Sequence, residues 1–170
     1  MNRQELERIV TELMDSFTTM TLACSVDDKP WAAAVYYARQ GFDLVFFSSP
    51  DSLHSRNFSR NPSAAAAIHG DYRGWKEIKG LQLEGSVEPL TGATAKARAL
   101  ATYLKRYPFA KEFFVYPAAI SPGVVLKMAR MVLYRFRPDN ILFMSNEAAF
   151  GTRWKLELRK GKPVGEAVLA

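Results

Sequence analysis

Residues 43–67, DLVFFSSPDSLHSRNFSRNPSAAAA, decide how this chain is read. The apolar run Asp43 to Phe47 has the β-branched and aromatic content of a strand. It runs directly into Ser48, Ser49, Ser52, His54 and Arg56. Asp51 or Ser52 can cap a short helix over LHSRNFSR, and Asn61-Pro62 ends it. SAAAAIHG (63–70) sits between a proline and a glycine and is too short for an independent helix, so it is predicted as a small-residue strand. A strand whose exit carries hydroxyls, an imidazole and an arginine offers the donors that a phosphate group needs. A helix starting near Ser52 adds backbone N–H groups and the positive end of its dipole. The alternative is a polar surface turn.

Outward from this stretch, the pattern is mainly β. Leu6, Ile9, Val10, Leu13, Met14 and Phe17 recur at helical spacing, which predicts an N-terminal helix over 1–17. MTLACSV (20–26), a turn at Asp27 to Pro30, WAAAVYYAR (31–39), a turn at Gln40-Gly41 and FDLVFFS (42–48) predict two consecutive antiparallel hairpins. KGLQLEGSVEPL (79–90) alternates as a strand with one buried face. Thr91 introduces a helix from Ala93 to about Arg106, and FAKEFF (109–114) adds a short helical piece. Pro117 and Pro122 predict a loop. RMVLYRFRPDNILFMSN (130–146) predicts a strand, a Pro-Asp turn and an extended return, and TRWKLEL (152–158) a final strand. The expected fold is a small antiparallel β-barrel with α decoration. It forms a single domain over 1–170, with the barrel over 20–145, a helical insertion around 93–115 and a C-terminal segment over 146–170.

Composition narrows the function. The chain has 170 residues, 48% hydrophobic and 24% charged, with a net charge of +6 spread along its length. That balance favours anionic partners without a concentrated basic arm, and no nucleic-acid motif accompanies it. No apolar run reaches the length of a membrane span, and the first residues lack an apolar signal core; the expectation is a cytoplasmic protein. Cys24 is the only cysteine and has no partners at metal-ligand spacing, so no metal site is expected. Cys24 and His69 are expected as a core residue and a strand-end residue. Neither a nucleophile elbow, a dinucleotide fingerprint nor a P-loop is present. The small residues Ala32 to Ala34 leave room for a planar ring against the backbone.

The order of these segments resembles the pyridoxamine 5′-phosphate oxidase-like superfamily of FMN-binding split barrels, over roughly Met20 to Ser145. ATYLKRYPFAKEFF (101–114) and FGTRWKLELRKG (150–161) look most like its small YhbP-type branch. The resemblance implies a homodimer with FMN in clefts between subunits. It places Ala33, Ala34 and Val35 under the flavin, Phe47 and Ser48 beside the ring, and Ser52 and His54 at the phosphate, where the hydroxyl of Ser49 in the same stretch is a further candidate donor. Lys79 lies next to Gly80, where the oxidase has a flavin-contacting glutamine. The oxidase's Ser-Arg-Lys phosphate segment becomes Ser52, Leu53 and His54, so its two cations are reduced to one histidine; Arg56 or Lys79 are candidates to restore charge. The charged ends of the strand under the flavin are also missing, which argues against pyridoxamine oxidation itself. The implied activity is hydride or electron transfer to an unknown small molecule, with no residue qualifying as a catalytic acid or base. The alternatives are a non-catalytic sensing barrel that binds flavin weakly or binds haem or a deazaflavin, and a nucleic-acid-binding barrel, for which the positive charge is the only support. Arg153 and Trp154 are candidates to close the cleft.

Overall fold

A computed structural model describes residues 1–112, 121–147 and 150–170. Nine strands form one antiparallel sheet in the order β2-β1-β5-β6-β7-β4-β3, with β8 added to β7 and β9 to β8. In chain order they are β1 Thr19–Val26, β2 Lys29–Tyr36, β3 Ala38–Gln40, β4 Asp43–Ser48, β5 Ser63–His69, β6 Lys79–Pro89, β7 Val132–Ser145, β8 Arg153–Arg159 and β9 Lys162–Leu169. The helices are α1 Arg3–Ser16, α2 Leu53–Arg60, α3 Ala93–Arg106 and α4 Pro122–Ala129. The sheet curls around a core of Leu6, Met14, Met20, Leu22, Leu44, Phe46, Ile68, Leu81, Phe136 and Ile141, all essentially buried. β2 ends one side of the curl and β3–β4 the other, as expected of a split barrel.

The N-terminal helix forms as its periodicity predicts. Asn2 caps it by accepting from the Glu5 amide at 2.9 Å, and Leu6, Val10, Leu13 and Met14 are buried. α1 lies against β3, β5, β6, β8 and β9. Its last carbonyls are met from α3: Arg106 Nη2 donates to the carbonyls of Met14 and Asp15 at 3.3 and 3.1 Å, and to that of Phe17 at 2.5 Å. A second core of Ala38, Val45, Leu90, Ala99, Tyr103, Tyr107 and Leu133 joins α3 to the back of β3 and β4.

Four expectations are corrected. WAAAVYYAR is not one strand: β2 stops at Tyr36 and β3 starts at Ala38. Tyr37 between them is fully buried; its hydroxyl donates to the Met14 carbonyl at 2.7 Å and its own carbonyl accepts from the Tyr107 hydroxyl at 2.5 Å. Pro138-Asp139 does not make a turn. β7 runs unbroken beside β6, and the register slips between Glu84↔Asn140 and Gly85↔Pro138, so Asp139 is the extra residue of a bulge. A proline is tolerated at such a point because the ladder is already interrupted there. Gly85 makes the bulge feasible, since a Cβ there would sit 2.1 Å from the Arg137 carbonyl oxygen. The C-terminal segment carries two strands rather than one, joined at Lys160-Gly161 with φ of 52° and 73°. Pro122 begins α4 instead of punctuating a loop, proline being well suited to a first helical position. Phe109 and Ala110 of the 109–114 piece lie in a 3₁₀ turn over Pro108–Ala110, and its last two residues, like Pro117, lie outside the described residues.

Candidate functional site

The exit of β4 becomes a compact polar cluster. Ser48 is the last residue of β4 and only 5% exposed. After a turn in which the Ser52 amide donates to the Ser49 carbonyl at 3.1 Å, Ser52 caps α2, accepting from the Ser55 amide at 3.2 Å. The cap brings four side chains together. Ser48 Oγ lies 2.5 Å from His54 Nε2 and 3.2 Å from Ser52 Oγ, and Ser52 Oγ donates to Ser55 Oγ at 2.8 Å. Ser55, which the sequence reading did not single out, is as buried as Ser48. Its signal was its position three residues after a serine cap, where a side chain returns to the cap. Burial pushes the pKa of His54 below its usual 6.5, so the ring is neutral at pH 7. The amides of Leu53 and His54, first in the helix, have no helical acceptor and add donors at the positive end of the dipole.

Beside this cluster runs the free side of β2, which packs next to both β4 and α2. The β1–β2 hairpin turns at Asp27-Asp28, with φ of 53° and 57°, and Val26 faces Lys29 across it. The Tyr37 amide donates to the Thr18 carbonyl at 3.2 Å, which sets the phase of the ladder. Hydrogen-bonded pairs then alternate, so Trp31, Ala33 and Val35 bond to β1 while Ala32, Ala34 and Tyr36 turn their backbone groups to the open edge. Pro30, which lacks an N–H, falls on the same open phase. Of Ala33, Ala34 and Val35, therefore, Ala34 presents its N–H and C=O outward, and Val35 packs against the core.

The remaining predicted residues are distributed differently. Phe47 and Ser48 leave β4 on opposite faces: Ser48 turns to α2, while the Phe47 ring packs edge-on to Tyr103 of α3 at 5.0 Å. Ser49 sits in the turn, its hydroxyl accepting from the Asp51 amide at 3.2 Å. Arg56 is turned back onto its own turn, its guanidinium bonded to the Asp51 carbonyl. Cys24 is buried and accepts from Asn57 Nδ2 at 3.5 Å.

Lys79 lies at the other end of the sheet. Ser48 pairs with Val132 at the start of β7 and Lys79 with Ser145 at its finish. One row across the sheet there contains His69, Gly80, Met144 and Arg153, in strands β5 to β8. A cavity of about 370 Å³ opens over Gly80, lined by His69, Tyr72, Ile78, Lys79, Gln82 and Met144 among others. His69 Nδ1 donates to the Gly70 carbonyl at 2.9 Å, which leaves Nε2 as the unprotonated nitrogen of the neutral ring. Arg153 and Trp154 belong to this end: Trp154 pairs with Phe143 and packs on the core, so within one chain neither closes over Ser48 and His54.

Known proteins share this architecture. The pyridoxamine 5′-phosphate oxidase family profile matches residues 6–133. A UPF0306 protein of Photorhabdus laumondii is 31% identical over 111 residues, 64% of this chain and 76% of that one. Among solved structures, a FAD-binding protein from Mesorhizobium loti superposes with a TM-score of 0.61 at 20% identity, over 83% of this chain and 94% of that one. A heme binding protein from Mycobacterium smegmatis gives a TM-score of 0.66 at 21% identity, over 89% of this chain but only 56% of its own length. At these identities the two superpositions establish the fold alone. Among the described residues no helix is long and apolar enough to cross a membrane. From the extent of the profile match, together with the curled antiparallel sheet and its open edge, the chain belongs to the pyridoxamine 5′-phosphate oxidase family of split barrels.

Proposed function

We propose that this chain binds FMN between two copies of itself and transfers hydride or electrons to a small molecule. The observation that carries the reading is the Ser48–Ser52–His54–Ser55 cluster at the start of α2, beside the open edge of β2. The donor set fits a phosphate ester: three hydroxyls, an imidazole and two helix amides converge there. It contains no permanent cation, in keeping with the loss of the oxidase's Arg-Lys pair. The outward backbone groups of Ala34 and the small side chains of Ala32 and Ala34 leave a flat edge on which a ring can lie. When bound, the flavin supplies the redox chemistry, and the protein orients it and sets its electrostatic surroundings.

The same chain holds His69, Lys79 and Arg153 at the opposite end of β7, out of reach of its own phosphate cluster. A homodimer resolves this separation, because a second copy can bring its basic row to the ring bound by the first. The outer face of β1, β2 and β5 supports such packing: Thr21, Ala23, Ala32, Ala34 and Ala65 are small and exposed. Ala65→Arg on that face is expected to convert a dimer to a monomer in analytical ultracentrifugation and to abolish FMN binding with it.

A second reading is haem binding. It is favoured by His69, which lines the 370 Å³ cavity and has Nδ1 tied to a backbone carbonyl, the arrangement that orients metal-ligating histidines. The likeness to the M. smegmatis heme binding protein agrees with it. One absorption spectrum of the purified protein, before and after adding FMN or haemin, separates the two. A flavin band near unit occupancy, with FMN released and identified by mass, supports the first reading. A haem Soret band lost in His69→Ala supports the second.

A further inference from the structure

The neutral character of the phosphate cluster has a consequence for how a phosphate is taken up. We propose that His54 is a proton-coupled clamp: it is neutral in the free protein, becomes imidazolium when a phosphate monoester docks on Ser48, Ser52 and the start of α2, and so makes cofactor uptake consume a proton. This rests on the phosphate site proposed above and concerns its regulation.

A phosphate dianion held away from water needs a compensating positive charge. Each element around His54 can be surveyed for one. On α2, Arg60 is paired with the carboxylate of Asp27 at 2.8 Å, while the exposed Arg56 keeps its charge but is turned back to the Asp51 carbonyl; Asp51, in the turn before α2, adds an exposed carboxylate. β1 carries no charged residue, and its Cys24 is engaged by Asn57. β2 carries only Lys29, at the hairpin end, and the phenol of Tyr36. On β4, Asp43 lies at the far end, bound to Arg137 at 3.0 Å. β6 offers Lys79 at its distant end, Glu84, and Glu88, which is bonded to Arg135. On β7, Arg135 and Arg137 are committed to these acids, Asp139 is in the bulge, and Tyr134 stacks on Phe46. Among the described residues His54 is therefore the one group at the cluster able to acquire charge on demand. Its Nε2 is 2.5 Å from Ser48 Oγ, and protonation adds an N–H donor and a unit charge together.

The sign follows from linkage. Burial disfavours the charged ring in the free protein, and a bound dianion favours it. Between the free and bound pKa values, binding takes up close to one proton, and affinity falls up to about tenfold per pH unit as pH rises. Below about pH 6 the phosphate's own protonation opposes the trend.

Isothermal titration of the apoprotein with FMN, in buffers of differing ionisation enthalpy, reads the proton count directly. Wild type is expected to take up between half and one proton near pH 7, as an order-of-magnitude reading of a one-site linkage. His54→Gln, which keeps an amide donor near Ser48, is expected to bind more weakly with no proton uptake and a flat pH profile. His54→Lys is expected to bind at least as tightly as wild type, again without uptake. FMN binding by wild type with no proton uptake overturns the clamp and leaves the flavin reading standing. If FMN does not bind at any pH, the flavin reading fails, and inorganic phosphate decides the clamp by the His54 imidazole NMR shifts. Protonation of His54 on adding phosphate supports it, and unchanged shifts overturn it.

Discussion

Replacing Arg106 with methionine tests how the site is supported from behind. Arg106 is at the end of α3, its side chain only 19% exposed. Nη2 serves the carbonyls of Met14, Asp15 and Phe17, and Nε donates to the Tyr107 hydroxyl at 3.1 Å. The guanidinium also lies over the rings of Tyr37 and Tyr107, 5.6 and 5.8 Å from their centroids. Arg106→Met keeps the apolar stem and removes the donors. The Met14 carbonyl retains the Tyr37 hydroxyl, and that of the exposed Asp15 can turn to water, so the main loss is at Phe17. A charge-assisted bond contributes about 1.5–3 kcal/mol net. A cation at a helix C-terminus adds about 0.3–1 kcal/mol. The expected cost is therefore about 3 kcal/mol, equivalent to a fall in Tm of about 6–12 °C for a chain of this size. Thermal and urea unfolding at fixed protein concentration measure it, with FMN affinity as a second readout, since Tyr37 sets where β2 leaves the sheet. A loss below about 2 °C would refute the claim that Arg106 joins α1 to the β2–β3 break.

Three further expectations are independent. Ser52→Ala removes the α2 cap and one hydroxyl of the phosphate site; it should cost about 1 kcal/mol of stability and weaken FMN, and an unchanged flavin titration would place the phosphate elsewhere. Gly85→Ala forces a Cβ to within 2.1 Å of the Arg137 carbonyl oxygen and 2.7 Å of Pro138 Cα. It should lose about 3 kcal/mol or more, seen as a lower urea midpoint, whereas a wild-type midpoint would mean the bulge is free to relax. Burial raises the Tyr37, Tyr103 and Tyr107 phenols, Tyr103 to about 12, from the usual 10. The folded state thus holds these protons more tightly, so their stabilisation is complete below pH 10 and is lost as pH rises through 10 towards 12. Urea midpoints across that range should fall, less steeply in Tyr103→Phe; a level profile would contradict the assignment.

Local chemistry was enough for the elements around the site. The apolar run in DLVFFS, the serine cap, Asn61-Pro62 and the apolar stripe of α1 each act within a few residues, and each element stands where those signals place it. β9 was missed although its signal is local too: Lys160-Gly161 is a two-residue turn between extended runs, and its basic composition resembles a solvated tail. Pro138 misled because a proline between strands ordinarily marks a turn; the partner strand β6, which pairs with both halves of β7, carries it through as a bulge.

Beyond the split barrel implied by the resemblance, the sequence by itself determined a mainly β chain with hydroxyls and a histidine at the mouth of β4. Those features follow from periodicity, capping and turn formation, which are short-range. Only the tertiary structure decided which of the candidates meet. It separated Phe47 from Ser48 across β4, tied Arg56 back onto its own turn, recruited Ser55 and sent Lys79 to the far end of β7. These outcomes depend on register between strands far apart in the chain. Register is set by which face of each strand the common core accepts, and a slip of one residue would reverse every side chain.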